Sequence, residues 1–159
     1  MLAKVEPVGR IAIIGSHQKS APVKVEAIAA DLGARIVRRN DLSADISGKV
    51  ERLGDDHFLI TVNAAHSAQR QRFTVAHEIA HIALHTNLIG DGIVDDALYR
   101  SPLGGDIERE ANRYAATILM PAPLVREAYR TVKSYNDIAA KFDVSADVAR
   151  IRLKELRLA

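Results

Sequence analysis

The segment His77-Glu78-Ile79-Ala80-His81 constrains this chain more than any other. Residues four apart on an α-helix lie one above the other on one face, so both imidazoles can reach a single ion. Glu78, beside the first ring, can then hold a water against that ion and take its proton. The flanks suit a helix. Arg72-Phe73-Thr74-Val75-Ala76 enters the motif without a breaker, and Ile82-Ala83-Leu84-His85 continues it. Val75, Ile79 and Ile82 form an apolar stripe away from the two histidines, as a half-buried helix requires. The bland alternative is a helix with surface histidines and a chance glutamate. The small and apolar residues of the opposite face weigh against it.

A zinc ion held by two histidines needs at least one more protein ligand and an open position for water. Downstream, Ile107 to Leu119 reads as a second helix, with Asp106 as its N-cap and Pro121 ending it. Glu108, Ala111, Asn112, Ala115 and Leu119 share one face. A carboxylate heading such a face must meet positive charge when the face packs, because burying it unpaired is costly. Glu108 is therefore the favoured third ligand. Asn112, one turn on, would accept the second ring N–H of a ligand histidine and fix its tautomer. Glu110 is the rival; it sits about 200° around the helix, beside Arg113 and Tyr114, where a surface ion pair is the ordinary outcome. His85 suggests a three-histidine site, but its Cα lies about 12 Å along the axis from that of His77. Zinc–nitrogen bonds of about 2 Å do not span three turns of a straight helix. His85 reads instead as a neighbour or a helix-end residue. His17, His57 and His66 lie in polar, loop-like stretches and read as solvated, with His66 alone placed to line a cleft.

Together these residues carry a resemblance. Arg72 to His85 (RFTVAHEIAHIALH), followed by Glu108 to Pro121 (EREANRYAATILMP), is similar to the paired motifs of the ImmA/IrrE family of zinc metallopeptidases. Pro22 to Gly33 resembles that family's opening helix, and residues 46–48 and 60–63 resemble its strands. The likeness spans about residues 22 to 158. Tyr114 stands where the family usually has Phe, and Thr117 where an acidic residue is common; neither touches the proposed ligands. The resemblance implies an α+β, zincin-like peptidase domain with a short sheet. It implies a gluzincin-like site with His77 and His81 as zinc ligands, Glu78 as general base and a glutamate of the second motif as third ligand. It further implies that the substrate is a helix-turn-helix transcriptional repressor, cleaved to relieve repression in a stress, mobile-element or phage setting.

Composition is compatible with an enzyme of the cytoplasm. With 159 residues, 48% of them hydrophobic, the chain can bury one core. There is no cysteine, which excludes disulfides and Cys-type zinc sites. No apolar run approaches the roughly 20 residues of a membrane span. The net charge of +2 is too small to announce a nucleic-acid partner.

The expected organisation is an N-terminal extension (1–21), a peptidase core (22–121) and a C-terminal helical segment (122–159) packed on it. Ile11 to Ile14 reads as a strand-like run ending at Gly15, before a polar loop. A helix over 22–32, a strand over Ala34 to Arg38 and a hairpin around Gly54-Asp55-Asp56 follow. If exposed, that hairpin could pair with an extended peptide. The glycine-bearing stretch Asn87 to Asp106 reads as a loop near the cleft mouth. Tyr99 within it and Tyr114 are both candidates for stabilising an oxyanion, and neither is preferred. After a helix from about Ala122 to Val132, Asn136 to Leu156 reads as a helix-turn-helix with Ser145 capping its second helix. Arg150, Arg152, Lys154 and Arg157 raise DNA binding as a possibility. The start of the second helix is Ala146-Asp147, one too short to read bases and one repelled by phosphate, which favours a structural or substrate-docking role. Two rivals to a peptidase stand: a DNA-binding regulator using the domain as a sensor, and a metal-binding interaction module such as a toxin–antitoxin partner.

Overall fold

The computed structural model describes residues 7–90, 92–96 and 105–159. Helices α1 (Pro7–Ser16) and α2 (Val25–Asp31) lead into strands β1 (Ala34–Arg39), β2 (Ile46–Gly54) and β3 (His57–Asn63). Helix α3 (Ala68–Leu84) carries the HExxH motif. Short α4 (Thr86–Ile89), strand β4 (Ile93–Asp96) and α5 (Gly105–Leu119) come next, then α6 (Ala122–Tyr129), α7 (Tyr135–Phe142) and α8 (Ala146–Glu155). The architecture is α+β.

The sheet runs β1-β3-β2-β4, parallel between β1 and β3 and antiparallel elsewhere. Residues Val50, Phe58, Ile60 and Val62 of the sheet and Val75, Ile79 and Ile82 of α3 belong to one buried core. Gly48 lets α3 sit close on β2. A Cβ there would lie 2.6 Å from Thr74 Cγ2 and 2.7 Å from Thr61 O, so any side chain would push the metal-motif helix off the sheet. At the other end of the sheet, Gly33 closes α2 with φ +83°, in the left-handed region that glycine adopts without cost.

Three expectations need correction. The Ile11–Ile14 run is helix, not strand. Arg10 and Ile14, four apart, are both buried while Ile11 is exposed, which is helical periodicity. Arg10 binds Asp56 Oδ1 at 2.8 Å and Thr86 Oγ1 at 2.6 Å, so α1 is tied to the hairpin turn and to the end of α3. Part of the stretch read as loop, Ile93–Asp96, is strand β4; with β1 it forms the sheet edges among the described residues, so the hairpin strands lie inside. Finally, Asp106 lies inside the first turn of α5, paired with Arg109, rather than at its N-cap. Tyr99 lies outside the described residues.

The C-terminal helices form as the sequence suggests. Ser134 and Ser145 cap α7 and α8, accepting from Asp137 N at 3.2 Å and Val148 N at 3.1 Å. Two arginines fasten the segment to the site helices. Arg72 of α3 donates to the carbonyls of Val23, Phe142 and Asp143, and Arg152 of α8 donates to Met120 O, just past α5, at 3.0 Å. Among the described residues no helix is long and apolar enough to cross a membrane.

Candidate metal centre

Helix α3 starts at the Ser67 cap, whose hydroxyl accepts from Arg70 N at 3.2 Å. From Thr74 to Ala83 every residue is buried, so the helix is covered on both faces and not on one stripe alone. The sheet covers one side. Helix α5 covers the other, and small residues at Ala111 and Ala115 let it approach closely. Glu108, on the same face, is carried against the two histidines.

The ligand-type atoms of His77, His81 and Glu108 all lie within 4.8 Å of one another, and the three residues are 6%, 0% and 2% exposed. Glu108 spans the pair: Oε2 is 3.0 Å from His77 Nε2, and Oε1 is 3.2 Å from His81 Nε2. A tetrahedral site with bonds of about 2.0–2.1 Å has ligand–ligand edges of about 3.3–3.4 Å. Each imidazole thus stands near that distance from one Glu108 oxygen, and one donor atom from each residue lies within 4.8 Å of the others. Their chemistry fits too, since two imidazoles and a carboxylate suit zinc, and a cation offsets the cost of a buried carboxylate. The residues present fit a divalent metal.

Both rings are oriented by their other nitrogens. His77 Nδ1 donates to Asn112 Oδ1 at 2.7 Å, the partner that helix spacing predicts. His81 Nδ1 meets His85 Nδ1 at 3.0 Å, and His85 Nε2 meets Glu110 Oε1 at 2.5 Å. Glu110 thus lies off the ligand pair, as expected; its ion-pair partner is His85. Glu78 is fully buried, one residue on from His77.

The remaining candidates lie apart from this cluster. His17 pairs with Asp31 at 2.6 Å, and His57 is exposed at the start of β3. His66 is half-buried and donates through Nε2 to Ala44 O at 2.9 Å, which fixes the loop before α3. Tyr114 is half-buried against the core, and burial raises its phenol above the usual value. The part played by His85 and Glu110 is what residue spacing alone misses, because their contact joins two helices.

The geometry thus defines a candidate metal site, with two histidines from a helix carrying the HExxH pattern and a glutamate from a later helix. The chain belongs to the family of the IrrE N-terminal-like domain, whose model matches residues 29–154. It is 37% identical over 106 residues to the radiation response metalloprotease IrrE of Deinococcus radiodurans, covering 63% of this chain and 32% of that protein. It is 25% identical over 128 residues to the metallopeptidase ImmA of Bacillus subtilis, covering 79% and 73% of the two chains. The chain thus spans about a third of the IrrE relatives it matches. A solved Mycobacterium tuberculosis transcriptional regulator shares the fold, with a TM-score of 0.61 at 18% identity over 91% of this chain and 46% of that one.

Proposed function

We propose that the protein is a zinc-dependent endopeptidase of the cytoplasm, with His77, His81 and Glu108 holding the ion and Glu78 as general base. The observation that carries this reading is the convergence of those three buried donors from two helices. When bound, a zinc ion supplies Lewis acidity toward the scissile carbonyl and lowers the pKa of a water. The chain's own residues do the rest. Glu78 accepts a proton from the attacking water and delivers it to the nitrogen of the departing amine. Asn112 holds the His77 ring with Nε2 toward Glu108, and Glu108 would give a bound ion its third protein ligand. An extended substrate can pair its main chain with the edge strand β4.

The proposed substrate is a helix-turn-helix transcriptional repressor whose cleavage relieves repression. The metalloprotease names of the relatives support a protein substrate; the choice of a repressor follows from the resemblance to the ImmA/IrrE family. The test is co-expression with a neighbouring repressor-like protein. A metal-dependent fragment is expected with the wild type and none with Glu78→Gln, which should keep its zinc. His77→Ala should lose both zinc and cleavage. Full cleavage by zinc-loaded Glu78→Gln would remove the mechanism.

DNA binding through the C-terminal helices is the weaker reading. Arg152 is buried and committed to Met120 O and Glu155, and Arg150 leans on Asp147 at 3.6 Å. A cation held this way is poorly placed to neutralise phosphate. A sensor role would still bring duplex binding that falls steeply with salt and survives Glu78→Gln.

A further inference from the structure

We propose that His85 and Glu110 are positioning residues, a two-step relay that holds the His81 ring in the tautomer and orientation metal binding requires. The inference rests on the metal-centre reading above and extends it past the three ligands. His81 points Nε2 at Glu108, 3.2 Å away, and Nδ1 at His85 Nδ1, 3.0 Å away. A neutral imidazole has one N–H, and a nitrogen that lends its lone pair to a metal cannot carry it. The His81 proton therefore belongs on Nδ1, which donates to His85. His85 Nδ1 must then be the acceptor, so the proton of His85 belongs on Nε2. Glu110 Oε1 sits at that point, 2.5 Å from it. An ionised carboxylate can only accept, so Glu110 sets the direction of both links. Reversing either ring would bring two lone pairs or two N–H groups face to face.

The relay is anchored at every step. His85 is 5% exposed and caps α3, its backbone N–H donating to His81 O at 2.8 Å. The next residue, Thr86, bonds back to Ile82 O and takes a bond from the buried Arg10. The end of the helix is thus fixed where the ring must be fixed. Helix α5 supplies both carboxylates. Glu108 meets the Nε2 atoms of His77 and His81, while Glu110 holds the imidazole behind His81. The two arms differ in kind. His77 leans on an amide oxygen that can only accept, whereas His81 leans on a second imidazole whose tautomer is undetermined until Glu110 sets it.

The test compares His85→Leu, His85→Gln and Glu110→Ala with the wild type in the full chain. Zinc affinity is measured by competition with a chromophoric chelator, and imidazole tautomers are read in the zinc-loaded protein by long-range ¹H–¹⁵N correlation. His85→Leu should weaken zinc roughly 10- to 100-fold, the usual cost of losing such a partner. His85→Gln keeps an acceptor oxygen and should recover to within about threefold of wild type. Glu110→Ala should weaken zinc several-fold and blur the His85 tautomer. The wild-type spectrum should show His81 protonated on Nδ1 and His85 on Nε2. Wild-type zinc affinity in His85→Leu, equal losses in the Leu and Gln variants, or His85 protonated on Nδ1 would each overturn the relay. If His85→Leu does not fold, Glu110→Ala and the spectrum decide, since Glu110 is 59% exposed and the ring stays in place. A wild type that takes up no zinc would sink the metal reading, whereas a wild type that binds zinc and a His85→Leu variant that binds it equally well would sink the relay alone.

Discussion

Two groups of inward-turned polar side chains in this molecule serve different ends. Under the C-terminal helices, Arg72 and Arg152 send their guanidinium groups to main-chain carbonyls: Val23, Phe142 and Asp143 for one, Met120 for the other. Phe142 and Met120 lie at helix ends, where carbonyls lack intrahelical partners, so these arginines satisfy a need of the fold. Between α3 and α5 the pattern is the reverse. Side chains meet side chains: His77 with Glu108 and Asn112, His81 with Glu108 and His85, and His85 with Glu110. None of those contacts closes a helix end or bridges a turn. Burying that many ionisable groups together is costly for folding and makes sense only if something binds among them.

Mutations should separate the two regions. The largest effect belongs to Glu78→Gln, which should lower cleavage about 10²- to 10⁴-fold, the usual contribution of a general base, with zinc content unchanged by elemental analysis. Stripping the metal comes next. At zinc about a thousandfold above its Kd, removal by chelator should cost about 4 kcal/mol, seen as a fall in Tm that restored zinc reverses. In the structural region, Arg152→Ala should cost about 1–3 kcal/mol in a urea titration, because it leaves the Met120 carbonyl without its donor. The folded fraction of that variant should still bind zinc like the wild type. Its exposed neighbour gives the contrast: Arg150→Ala should stay within about 0.5 kcal/mol. The smallest effect is expected for Tyr114→Phe, within about 1 kcal/mol and with normal cleavage. A large loss of cleavage in that variant would move Tyr114 from the packed side of α5 into the chemistry.

The difference between the regions also explains what was legible in the sequence. Helical spacing places His77 and His81 on one face, and Glu108 and Asn112 on one face of another helix, so the meeting of four residues follows from two local patterns. Apolar periodicity likewise marked α7 and α8, with the Ser145 cap for the second of them. What failed depended on partners far along the chain. Four apolar residues at Ile11–Ile14 fit a strand or a helix equally, and the buried Arg10 that settles the matter needs Asp56 and Thr86 to do so. Strand β4 exists because β2 offers it a ladder, although Gly90 and Gly92 made its surroundings read as loop. Glu110 reads as a surface residue and is one, 59% exposed; what no local rule shows is that the end of α3 brings His85 to it.

The most direct test of the metal centre is anomalous diffraction at the zinc edge from crystals grown with zinc. One peak is predicted, about 2 Å from the Nε2 atoms of His77 and His81 and from a carboxylate oxygen of Glu108. An ion seated instead on His85 and Glu110, or no ion between α3 and α5, would contradict the account.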